Sequence, residues 1–199
     1  MTLEPEIGAD FGGLAEWPLE NIVKVLCFCH PEDANDLRAK QEDVVQRLFQ
    51  ACRRNRLEML LEVIPSKVGP VDDHTTERLI NRFYDIGIYP DWWKLEPMQT
   101  DAAWTATCHA IAKRDNHVQG IVVLGLGQSE AELASAFRLA AQHPLVKGFA
   151  VGRTIHGEVS RDWMAGKIDD ATAVATMAAN FRRLCKYWDD ARAGRGDAA

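Results

Sequence analysis

A chain of 199 residues, 47% hydrophobic and 26% charged, is long enough for one substantial core and has the balance of a globular protein. Its net charge of −6, with the basic residues scattered, argues against nucleic acid or an anionic membrane surface as a partner. No apolar run reaches the ~20 residues that span a bilayer.

The chain starts "MTLEPEIGADFGG", which lacks the basic and apolar regions of a signal peptide, so a cytoplasmic location is expected. Residues 1–16 read as an extension before the folded domain. The β-branched run "NIVKVLCF" (21–28) predicts a first strand, and "HPEDAND" opens a helix. From Asp33 to Arg54, the apolar residues Leu37, Val44, Val45, Leu48, Phe49 and Cys52 form one helical stripe.

"EMLLEVI" (58–64) is the next strand, stopped by Pro65. "VDDHTTERLINRFYDIG" is a helix with Leu79, Ile80 and Phe83 on one face and Gly87 as its C-terminal cap. "DWWKLE" is a strand by its alternation, and Thr100 caps "DAAWTATCHAIAKRD". "GIVVLGLG" (120–127) is a buried strand ending in glycines. Ser129 and Glu132 make a capping box on "EAELASAFRLAAQ".

"VKGFAVGR" (146–153) is the last strand and Ile168 to Trp188 the final helix, with 191–199 as a frayed tail. The five cysteines, Cys27, Cys29, Cys52, Cys108 and Cys185, sit in apolar segments as reduced thiols. "CFC" lacks a second cysteine pair, so neither a metal nor another cofactor is expected.

About five β/α units without a composition break imply an α/β fold with parallel strands covered on both faces. An open doubly wound sheet and part of a (β/α)₈ barrel both fit this order. The pleat decides between them. Lys24 shares a strand face with Ile22 and Leu26, Glu62 with Leu60 and Ile64, and Lys94 with Trp92 and Glu96. Charges on the inward side near strand C-terminal ends are what a barrel active site needs. The expected fold is a partial barrel.

Two lysines and a carboxylate on neighbouring strands suit Schiff-base chemistry. A lysine attacks a carbonyl only as the neutral amine, so burial of Lys94 among Trp92, Trp93 and Leu95, with Lys24 as a second cation, is expected to favour that form. Glu62, on the strand between them, is the candidate to move protons. The alternative is that the three are salt-bridged groups plugging a barrel end.

"GLGQSE" carries Gly125 and Gly127 into a helix N-terminus, and "VGRT" places Gly152 and Arg153 at the next strand end. Two such turns in succession are expected to bind phosphate. Glu96 and His30 are candidate lining residues, although a histidine in so polar a loop is more often exposed.

"VKVLCFCHPED", "LLLEVIP", "YPDWWKLEP", "GIVVLGLG", "VKGFAVGRTI" and "IDDATAV" together resemble the aldolase-type C-terminal domain of bacterial 5-dehydro-2-deoxygluconokinases, enzymes of inositol catabolism. The resemblance runs from about Trp17 to Trp188. More distantly the chain is similar to class I tagatose-bisphosphate aldolases. The resemblance implies Lys94 as the Schiff-base lysine, Lys24 as the assisting lysine on barrel strand four, and Glu62 as the catalytic glutamate on strand five. It also places Gly152 and Arg153 on the phosphate turn.

The implied reaction is retro-aldol cleavage of 2-deoxy-5-keto-gluconate 6-phosphate to dihydroxyacetone phosphate and malonate semialdehyde. His156 stands where the family pattern has an aromatic residue. The strands match barrel strands four to eight, with no counterpart to the first three units and no kinase domain. A homo-oligomer, or a second chain supplying the missing strands, is therefore expected. The competing reading is a non-catalytic barrel fragment, within residues 17–190, that binds a sugar phosphate or a partner.

Overall fold

The structure, a computed structural model, describes residues 7–8 and 10–194. Most of the expected extension and the start of the tail are therefore visible, while residues 1–6, 9 and 195–199 lie outside the described residues. The strands are β1 (Ile22–Cys27), β2 (Glu58–Val63), β3 (Trp92–Leu95), β4 (Gly120–Leu124) and β5 (Val146–Ala150). The helices are α1 (Asn35–Asn55), α2 (Thr75–Asp85), α3 (Asp101–Arg114), α4 (Glu130–Ala140), α5 (Arg153–Met164) and α6 (Asp170–Arg192).

The fold is α/β, with strands and helices alternating along the chain and the strands in the order β1-β2-β3-β4-β5 in one sheet. Sequential order with a helix after each strand is the arrangement of a partial barrel. The chain divides into two compact units. The first comprises residues up to Leu95 with Ala102–Ile121, and the second Glu96–Asp101 with the chain from Val122 on.

In the first unit β1, β2 and β3 pair in parallel, with Lys24 opposite Leu60 and Leu26 opposite Glu62, which in turn faces Lys94. The helix-facing side holds Val23, Leu61, Val63, Trp93 and Leu95, all buried. Gln41, Val45, Leu48, Ala51 and Cys52 form the buried stripe of α1, so the expected periodicity holds while Leu37, Val44 and Phe49 are half-buried. Gly87 follows α2 with φ +82, and the amide of Ile88 donates to the Phe83 carbonyl, closing the helix as a glycine in the left-handed region does.

The extension ends in a short 3₁₀ turn, Gly12–Glu16, that packs on α1, with Arg47 over the Phe11 ring at 5.8 Å. In the second unit Phe137 stacks on Phe149 at 4.9 Å and meets Trp188 edge-on at 5.5 Å. These aromatics form a core with Leu133, Val146 and Leu184.

Two strands are shorter than their apolar runs. β4 stops at Leu124 because Leu126 and Gly127 take φ of +46 and +77, left-handed backbone that no strand can contain. β5 stops at Ala150, and Gly152 caps α5, a helix the sequence pattern does not announce. Its Gly157 and five charged or histidine side chains hide a short amphipathic repeat in which only Val159 is buried.

A buried polar chain anchors β3 from its helix-facing side. The Trp93 indole donates to Tyr84 Oη (3.1 Å), and Tyr84 donates to Asp115 Oδ2 (3.2 Å). The other Asp115 oxygen accepts from the amides of His117 and Val118 at 2.9 and 3.1 Å. Burial raises the Tyr84 pKa far above the usual phenol range, so it remains a donor throughout the accessible pH range. Tyr84→Phe strands the Trp93 N–H and one Asp115 lone pair. Urea unfolding should show a loss of about 1–3 kcal/mol, the cost of an unmade buried hydrogen bond, with a changed tryptophan emission spectrum. An unchanged midpoint would show that this chain of bonds does not hold β3.

Candidate active site

β1, β2 and β3 bring Lys24, Glu62 and Lys94 together in the first unit. Glu62 and Lys94 are direct neighbours in register, and Lys24 sits one pleat nearer the start of its strand. Lys94 Nζ lies 3.3 Å from Glu62 Oε1, and Lys24 Nζ lies 2.8 Å from Oε2. The Lys24 contact lacks hydrogen-bond alignment, so that oxygen is held by charge alone.

Burial grades across the three. The Glu62 side chain is 7% exposed, Lys94 18% and Lys24 47%. Glu62 is thus a sequestered carboxylate whose ionisation is compensated on both sides, as a buried charge requires. With all three ionised, the cluster carries one excess positive charge. The same strand face also carries Leu26, Leu60 and Trp92, all half-buried, so the cluster stands on an accessible surface. Three of the five thiols are poor competitors as nucleophiles. Burial pushes Cys52 and Cys108 up to about 11, and the neighbouring Cys27 thiol with burial holds Cys29 well above the usual range.

His30 is buried, not exposed. Its Nε2 meets the Pro70 carbonyl at 2.9 Å, and its Nδ1 accepts from the Glu32 amide at 3.2 Å, so both ring nitrogens are engaged by the protein. Its partner lies forty residues away, which no local pattern reveals. Glu96 follows the end of β3 and is half-buried.

The glycines and Arg153 meet in the second unit. The Gln128 amide donates to the Gly125 carbonyl at 2.8 Å, closing a tight turn through Leu126 and Gly127. A Cβ on Gly125 would stand 2.9 Å from Val151 Cγ1, so only glycine fits there. At Gly127 a Cβ would stand 3.6 Å from the Arg153 guanidinium carbon, which places that cation over the turn. The Thr154 hydroxyl donates to the Gln128 carbonyl at 2.9 Å and ties the two turns together. Arg153 opens α5 and does not end β5, so its amide belongs to a helix N-terminus, where the first N–H groups have no partner within the helix.

Among the described residues no group of three or more histidine, cysteine, aspartate or glutamate side chains is arranged to hold a metal ion, and no helix is long and apolar enough to cross a membrane.

The fold is similar to that of a fructose-bisphosphate aldolase from Plasmodium falciparum, solved in complex with TRAP and a small-molecule inhibitor. The TM-score is 0.61 at 14% sequence identity, over 89% of this chain. This chain spans 58% of the length of that one. No curated protein sequence matches it. A bacterial family model matches residues 1–192, and the chain belongs to that family, described as "Uncharacterized protein conserved in bacteria (DUF2090)".

Proposed function

We propose that this protein is a class I, Schiff-base aldolase-like lyase domain. The observation that carries the reading is the buried Glu62 carboxylate set between two ammonium groups, 3.3 Å from Lys94 and 2.8 Å from Lys24. The carboxylate is within reach to take a proton from Lys94 Nζ. The freed amine then adds to a ketone carbon, giving a carbinolamine. Glu62 returns its proton to the carbinolamine hydroxyl, which leaves as water, and an iminium forms.

The carboxylate next removes the proton of the hydroxyl on the β-carbon. The bond between the α- and β-carbons breaks, an aldehyde departs, and the electron pair flows to the iminium nitrogen as an enamine. Protonation at carbon and hydrolysis release the second product and restore Lys94. Lys24 supplies positive charge beside these steps.

The substrate we propose is a phosphorylated keto-sugar acid, 2-deoxy-5-keto-gluconate 6-phosphate, with the protein acting in inositol catabolism. "PDWWKLEP" and "GFAVGRTI" support this choice, and the Gly152–Arg153 turn supports a phosphate. The second reading, a non-catalytic fragment, is favoured by one observation. β1 is an edge strand, with Ile22 44% exposed on it, and an open parallel edge invites a partner.

Borohydride reduction in the presence of dihydroxyacetone phosphate separates the two readings. The wild-type chain should acquire a covalent adduct on Lys94, located by mass spectrometry. Lys94→Met should acquire none while its circular dichroism is unchanged, whereas Lys24→Met should retain weaker labelling. Glu62→Gln should slow adduct formation by about 10²–10⁴-fold, the range of general acid–base catalysis. An adduct that survives Lys94→Met removes Lys94 from the mechanism, and no adduct on the wild type favours the non-catalytic reading.

Arg153→Ala should weaken a sugar phosphate by roughly tenfold or more, the scale of one charged hydrogen-bond donor, and leave the unphosphorylated sugar unaffected. Equal losses for both ligands would place Arg153 away from the phosphate. The edge at β1 further predicts an oligomer, or a stable complex with a second chain, in size-exclusion chromatography. A compact monomer with a sharp thermal transition would contradict that part of the reading.

A further inference from the structure

In the second unit, α5, α6 and the start of α4 enclose a cleft of about 700 Å³, room enough for a nucleotide-sized ligand. Three arginines and three carboxylates line it, and half of these charges are already matched. Arg183 grips Glu130 through two bonds of 3.0 and 2.7 Å, and Asp162 holds Lys167 at 2.8 Å. Glu158 is the remaining carboxylate.

Arg153 and Arg161 differ. Among the described residues neither guanidinium makes a hydrogen bond or ion pair. Each instead lies against a glycine. Arg153 covers Gly127, and Arg161 Nη1 comes within 3.9 Å of where a Cβ on Gly157 would stand. The same point is 3.7 Å from Arg153 Cβ. Arg161 thus folds back along α5 past Gly157 toward Arg153, where a side chain larger than a methyl group at 157 would crowd it. Both cations stand on the lining of one cleft, where Glu158 is the one carboxylate without an ion pair among the described residues, so an anion there gains from both. Gln128 Oε1, on the same lining, is buried and accepts no hydrogen bond. Ile155, Val159 and Ile168 supply an apolar wall.

We propose that this cleft binds an organic diphosphate. Arg153 and the turn at Gly152 hold one phosphoryl group, and Arg161 is a second, distinct binding residue for its neighbour. Gln128 Oε1 accepts from a ligand hydroxyl, and the organic part lies on the apolar wall. The proposal rests on the reading of Gly152–Arg153 as an anion-binding turn and adds to it a second phosphoryl position and the residue that recognises it.

Calorimetric titration with inorganic phosphate and inorganic pyrophosphate tests it. The wild-type chain should bind pyrophosphate about tenfold or more tightly than phosphate, one charged donor's worth of preference. Arg161→Ala should erase that preference and leave phosphate affinity unchanged. Gly157→Leu, which fills the space Arg161 occupies, should do the same. Arg153→Ala should weaken both anions. If Arg161→Ala binds pyrophosphate as the wild type does while Arg153→Ala does not, the second phosphoryl position is wrong and the anion-binding turn stands. If Arg153→Ala leaves both affinities unchanged, or the wild type binds neither anion, the turn itself is wrong and this inference falls with it.

Discussion

The Glu62 carboxylate is the constraint around which the first unit is arranged. A carboxylate taken out of water costs several kcal/mol, and no apolar neighbour offsets that. It persists here because Lys94 stands opposite it in register and Lys24 reaches it from the other side. Neither pairing exists without the parallel alignment of β1, β2 and β3. The alignment in turn depends on the opposite strand face, where Val23, Leu61, Val63, Trp93 and Leu95 are buried. Charge chemistry on one face is thus held by apolar packing on the other.

This division explains what could be read in advance. Side-chain parity along a strand is local, so the placement of Lys24, Glu62 and Lys94 on one face follows from alternation alone. Register is not local. That Glu62 faces Lys94 directly while Lys24 approaches from a pleat away depends on how α1 and α2 return the chain. His30 shows the same limit, because its polar loop reads as exposed while the Pro70 carbonyl that buries it lies far along the chain. At 120–127 and 146–153 the apolar composition predicts longer strands than β4 and β5, because it continues past the point where the backbone turns left-handed or begins a helix. The sequence pattern does not announce α5 because a glycine interrupts it, and Arg161 lies along the helix past that glycine.

The lysine at the centre of "WWKLE" sits in a strand of only four residues, too short for its ladder bonds alone to fix an orientation. The two indoles beside it make up the deficit. Trp92 donates to Glu58 Oε2 at 2.9 Å on one side of the strand, and Trp93 donates to Tyr84 on the other. Just before the strand, Asp91 accepts from the Met59 amide at 2.7 Å and from Arg53. Tethers on both faces and at the start remove the twist and slide that a short strand would otherwise have. A reacting group must be held within about 0.5 Å of its working position by supporting contacts. The aromatic run around Lys94 is therefore the mounting for the lysine as well as its apolar surroundings.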